Sequence, residues 1–367
     1  MALALQQVKS MYNHLKKQKN KISLTLTAIS LVLIGALVQA KAPPAAVYAA
    51  SDIEINQALT CAPKKIRSSL EIQKYFSDKI KNLPFGDYEV SGLHLKNESS
   101  HFAKLFKKII DPIDASLQNP YTGQLRHLNL QCQNVKCMLS KIFGDDDSLR
   151  VLYLLDKYNI NISHLVLKNT IKPKTNQIDI IFDVLDLLPS TLERFPRTVH
   201  LIFGNDFLLR STDVVNSNIN RAATTYDYGF VLFNFWASLS DAKKRFILLH
   251  EFAHYWAMDM KVGSTQEPVD QSAEWLRITG WQMIPTVPDP TWQNIYIESE
   301  DKYHIWPSDR AQAGANEDFA ESVASYRLSP EKLKTNNLKR YRYVQKTVFK
   351  GAEFIEKNKC AKPISVR

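Results

Sequence analysis

His250, Glu251 and His254 form the pattern H-E-x-x-H. Residues four apart lie on one face of an α-helix, about one turn from each other. Two imidazoles at that spacing can hold one metal ion, and Zn²⁺ suits such donors. Glu251, beside the first histidine, can reach a water on the same ion and take its proton. The chemistry this implies is hydrolysis by a metal-activated water. Without a metal, the same residues would be a core histidine pair that needs other partners.

A metal used in this way takes a third ligand from the protein. His254 is followed by Tyr255-Trp256-Ala257-Met258-Asp259. There is no G-x-x-H continuation, so the layout that draws a third histidine from the same segment is absent. The best downstream candidate is Asn316-Glu317-Asp318-Phe319-Ala320-Glu321-Ser322. Glu317 and Glu321 are again four apart. One can bind metal while the other, a turn later, hydrogen-bonds a ligand histidine. On their own the two glutamates would read as a solvated acidic helix start.

With both segments in view, the chain resembles the gluzincin metallopeptidases, particularly their lethal-factor-like branch. The resemblance implies that His250, His254 and Glu317 bind one Zn²⁺ per chain, with Glu321 in the outer sphere and Glu251 as general base. Trp236-Ala237-Ser238-Leu239-Ser240 is similar to the W-x-x-L-S that precedes the H-E-x-x-H helix in related bacterial sequences. Trp275 to Trp281 is similar to their W-x-x-x-x-G-W. The similarity spans about residues 197 to 350 and is specific at the two metal segments. It implies a zincin-like lobe; with a mainly helical N-terminal lobe read from apolar spacing ahead of it, the expected fold class is α+β. It also implies a peptide or protein substrate.

Arg310 departs from the pattern. The resembling enzymes have a tyrosine seven residues before the third ligand, and its hydroxyl supports the oxyanion. Arginine is always charged and offers several donors, so Arg310 could do the same work. It could equally be a surface salt bridge. Tyr303 and His304 are alternative donors. Arg310 is also the main support for a second reading, a non-catalytic, zinc-stabilised cell-envelope binding protein that retains the motif. The intact Glu251 argues against that reading, because a structural site needs no base.

Residues 1–22 contain Lys9, Lys16, Lys17, Lys19 and Lys21 and no acid, and Ile22 to Ala40 is uncharged and apolar. This is the form of a signal peptide, with small-x-small sites ending at Ala40 and Ala49. It is also long enough for an uncleaved inner-membrane anchor over residues 22–40. Either way the remainder is expected to be exported, to the periplasm or beyond. The four cysteines, Cys61, Cys132, Cys137 and Cys360, all follow this segment. An even count in an exported chain suggests disulfides. The favoured pairs are Cys132 with Cys137 and Cys61 with Cys360.

The formal charge of +10 includes the five lysines before residue 41, so the rest of the chain is only +5. Lys334 to Lys350 is basic and interleaved with Tyr341, Tyr343 and Phe349. A helix with one core face and one charged face explains it better than nucleic-acid binding. No nucleic-acid partner is expected, and membrane contact only through the N-terminal segment.

Several elements must position this chemistry. Ser240 is a helix N-cap, Asp241 suits the first turn, and Asp241 to Met260 contains no Gly or Pro. Apolar spacing predicts helices over Ser68 to Lys81, His101 to Ile110, Asp147 to Tyr158 and Gln177 to Leu188. Arg197 to Phe203 and Phe230 to Phe235 read as strands, and by fold analogy a strand in this region borders the cleft. Ser329-Pro330-Glu331 starts another helix. The organisation read from the sequence is a leader or anchor at 1–40, a spacer at 41–60, a mainly helical domain at 61–195 and a zincin-like domain at 196–367.

Overall fold

The computed structural model describes residues 50–62, 65–110, 130–162, 172–189, 192, 194–204, 223–226, 229–232, 234–262, 267–284, 295–298 and 306–353. These all belong to one compact unit, Val47–Arg367. The basic N-terminus, the apolar run and the sites at Ala40 and Ala49 lie outside the described residues. Among the described residues, no helix is long and apolar enough to cross a membrane.

The chain mixes helices with small sheets. The first helix among the described residues, α1 (Asp52–Cys61), falls where the sequence reading placed a spacer. A capping box makes it: Ser51 Oγ accepts from the Glu54 N–H, and the Glu54 carboxylate accepts from the Ser51 N–H. The same device starts α2 (Ser69–Ile80), with Ser68 and Glu71. A hairpin follows, β1 (Phe85–Val90) and β2 (Leu93–Ser99). Its two-residue turn, Ser91-Gly92, has positive φ at both positions, the conformation a tight hairpin demands. The expectation of a mainly helical region missed this pair.

Next come α3 (Ser100–Ile110), α4 (Val135–Phe143) and α5 (Asp145–Tyr153). The last runs into a π-helical turn over Leu154–Tyr158, closed by Asn159 in the left-handed region. Cys132 and Cys137 form a disulfide across the start of α4. β3 (Ile160–Ile162) and α6 (Thr175–Asp186) complete this part of the chain.

The central sheet has the order β3, β4 (Val199–Phe203), β6 (Gly229–Leu232) and β5 (Ala223–Tyr226). β3, β4 and β6 run parallel, and β5 is antiparallel at the edge. Pairing of β3 with β4 crosses the boundary drawn between 195 and 196. A side chain at Gly229 would place its Cβ 1.9 Å from the His200 carbonyl oxygen, so only glycine lets β6 approach β4 there. The two strands read from the sequence, β4 and β6, are interior. The strand at the sheet edge, packed against the H-E-x-x-H helix, is β5.

That helix, α7 (Asp241–Asp259), begins as its sequence predicts: Ser240 Oγ accepts from the Lys243 N–H. The buried Trp236 donates its indole N–H to the Lys244 carbonyl and pins the first turn. Phe252 and Trp256 then pack on Phe195, at ring separations of 5.0 and 5.7 Å. Phe230 of β6 meets Phe252 edge-on. Burial of these rings anchors the helix to the sheet.

Downstream lie α8 (Ala273–Thr279), the pair β7 (Trp281–Ile284) and β8 (Ile295–Glu298), and a 3-10 turn at Arg310–Ala313. Then come α9 (Ala315–Leu328), α10 (Pro330–Asn336) and α11 (Leu338–Thr347). The basic run was expected to form one helix with a charged face. It makes two, parted at Asn337, whose side chain caps α11. Arg340, read as part of that charged face, is fully buried. The carboxylate of Asp318 on α9 decides this, because it supplies the partner a buried guanidinium requires.

Candidate metal centre

α7 and α9 pack side by side and bring their polar residues together. His250 Nε2 and His254 Nε2 are 3.0 Å apart. Glu317 Oε2 is 3.2 Å from the first and 3.7 Å from the second. A zinc tetrahedron with bonds of about 2.0–2.1 Å has edges of about 3.3–3.4 Å. The three observed separations bracket that value, so these atoms can share one ion without moving far. Among the described residues, this is the one group of three or more metal-type side chains close enough to do so.

Glu321 stands one turn beyond Glu317 on α9. Its Oε1 is 2.8 Å from His250 Nδ1, the ring nitrogen pointing away from the cluster. A carboxylate that close favours a proton on Nδ1, which would leave Nε2 as the donor to a metal. Glu251 is buried beside His250. Its charge acts on both His250 and Arg310.

The electrostatics favour a cation. Burial alone would lower the pKa of His250. Hydrogen bonds with Glu317 and Glu321, together with the charges of Glu321 and Glu251, overcome it and push it up to about 10. Burial likewise opposes ionisation of Glu317, yet its contacts with both histidines hold its pKa far below the usual carboxylate range. Three carboxyl groups surround two imidazoles, and a divalent ion would balance that charge.

Arg310, expected to be either an oxyanion donor or a salt-bridging residue, makes a fork to Glu317: Nε donates to Oε2 and Nη2 to Oε1, both at 2.8 Å. Tyr303 and His304, the alternative donors, lie outside the described residues. So does Cys360. Its expected partner Cys61 ends α1.

The residues that aim α9 were not singled out by their chemistry. Trp275 donates its indole N–H to the Ala315 carbonyl at 3.0 Å, at the first residue of α9. Trp281 donates to Asp318 Oδ2, also at 3.0 Å. Arg340 grips the same carboxylate with Nη2 at 2.7 Å, and its guanidinium stacks over Trp306. Asp318 is thus held on several sides, immediately beside Glu317. The W-x-x-x-x-G-W segment was the signal for this, since both of its tryptophans bond to α9.

Comparison of the chain with protein-family models, curated proteins and solved structures gave no match.

Proposed function

We propose that this chain is an exported zinc-dependent peptidase of gluzincin type with a zincin-like catalytic lobe. The observation that carries the reading is the triangle of His250 Nε2, His254 Nε2 and Glu317 Oε2, with edges of 3.0, 3.2 and 3.7 Å. Its size and donor types fit a zinc ion. Bound there, zinc would acidify a water and polarise a scissile carbonyl. Glu251 would accept the water's proton and deliver it to the leaving amine. Glu321 holds His250 in the tautomer that presents Nε2 to the ion. The edge strand β5, against α7, is suited to pair with an extended peptide, as sheet edges do. Export rests on the basic and apolar N-terminal sequence and agrees with the Cys132–Cys137 disulfide.

A second reading, a non-catalytic zinc-stabilised protein, has the Arg310 fork behind it, because Glu317 takes up the Nε and Nη2 donors. A peptide-library cleavage assay on zinc-loaded protein and on Glu251→Ala separates the two. A peptidase cleaves, and the variant loses cleavage while keeping zinc. If neither protein cleaves any peptide while both hold zinc, the second reading stands.

A further inference from the structure

This inference rests on the metal-site reading above. Arg310 lies in the short turn that leads into α9. Its fork uses both oxygens of Glu317, which is the strongest geometry a guanidinium and a carboxylate can adopt. Glu317 Oε2 is also the oxygen that faces the two imidazole nitrogens. Two consequences follow from this double use. Glu317 can offer an ion one oxygen only, because clasping it with both would displace the fork. A permanent positive charge also stands one carboxylate oxygen away from the ion's place.

These effects oppose binding, whereas orientation of Glu317 by the fork would favour it. Charge decides the sign. A guanidinium and a divalent ion bridged by one oxygen are within about 5 Å, inside the screening length of about 8 Å in physiological salt. Exposure of 56 % of the Arg310 side chain moderates the repulsion without removing it. Orientation, by contrast, is supplied twice over. α9 is already locked through Asp318 to the buried Arg340 and to Trp281.

We propose that Arg310 is a positioning residue that limits how tightly the His250–His254–Glu317 site holds a divalent cation. It fixes Glu317 as a one-oxygen donor and offsets its charge, which makes the ion exchangeable. A residue that only oriented Glu317 would behave in the opposite sense, and its loss would weaken binding by about 10–100-fold.

The test measures zinc dissociation constants of the whole chain by competition with a chromophoric chelator. Wild type is compared with Arg310→Ala, Arg310→Gln and Arg310→Lys, and each is melted in excess EDTA to check folding. Arg310→Ala and Arg310→Gln should hold zinc about tenfold tighter, and Arg310→Lys, which keeps the charge, should stay within about threefold of wild type. In EDTA, Arg310→Ala should melt below wild type, because Glu317 loses its bidentate partner. Unchanged or weaker zinc binding in folded Arg310→Ala and Arg310→Gln overturns the proposal and leaves the metal site standing. If those two do not fold, Arg310→Lys decides: near-wild-type affinity supports the proposal, and a loss of about tenfold, the mark of an orienting fork, overturns it. Failure of the wild type itself to bind zinc removes the site reading and this inference together.

Discussion

The two helices that meet at the candidate site are held in place by different physics. α7, carrying His250, Glu251 and His254, is fixed by aromatic packing of Phe252 and Trp256 on Phe195 and of Phe252 on Phe230. α9, carrying Glu317 and Glu321, has aromatic packing of its own, Phe319 edge-on to Trp275, and adds polar bonds to the fully buried Asp318. Apolar packing is non-directional and tolerates small shifts in several neighbours. A buried fork is directional and fails as a unit when one partner is lost. The histidine pair takes its spacing from the helix itself, so its support need only be firm. The proposed third ligand, Glu317, is brought across from another helix, so its support must also be aimed.

Predictions from this contrast run from large to small. The reacting group should be separable from both supports. Glu251→Gln should lower turnover by about 10²- to 10⁴-fold with zinc content unchanged, the scale of losing a general base, as measured by cleavage rate and metal analysis. The supports should then differ in how they can be rescued. Asp318→Ala or Arg340→Ala should each destabilise the protein by about 3–5 kcal/mol in chemical denaturation, because each strands a buried charge. The double change Asp318→Leu with Arg340→Met should recover much of that stability. Phe252→Ala should cost a similar amount, about 3–5 kcal/mol, with no single partner change that rescues it. Equal rescue at both helices would erase the contrast.

Glu321→Gln should weaken zinc binding by about 10–100-fold while the fold persists, since it removes the carboxylate behind His250. The raised pKa of His250 carries a sign. A folded-state pKa of about 10, above the ordinary 6.5, gives stability that is full below the ordinary value. That stability is lost as pH rises through about 10. With EDTA present, melting temperature should therefore fall across roughly pH 6.5 to 10, and His250→Gln should flatten that slope. Zinc uptake at neutral pH should release a proton from this cluster, seen as a buffer-dependent binding heat. The smallest effect is expected at Ser51→Ala, about 1 kcal/mol, from the lost cap of α1.

What could be read from the sequence follows from how local each signal was. α7 was legible to its ends because Ser240, the absence of breakers and the histidine spacing all lie within the helix. Glu317 and Glu321 were legible only once H-E-x-x-H gave them something to bind. α1 was overlooked although Ser51 and Glu54 spell a capping box, because the Ala/Pro-rich stretch before them drew the spacer too far. Burial of Arg340 could not be read, since its partner lies on another helix and its sequence neighbours are solvated lysines. β4 and β6 were legible as strands because their apolar runs mark interior strands. The edge strand β5, Ala-Thr-Thr-Tyr, has no such run and was missed. Of the two readings of Arg310, the salt bridge named no partner, and the fold supplies Glu317.

The central claim is that His250, His254 and Glu317 hold one zinc ion. Its most direct test is X-ray absorption at the zinc edge on the purified whole chain, with metal content measured on the same sample. The account predicts about one zinc per chain, bound by two imidazole nitrogens and one carboxylate oxygen at about 2.0–2.2 Å. Folded wild-type protein that takes up no zinc, or zinc whose spectrum lacks the two imidazoles, would contradict it.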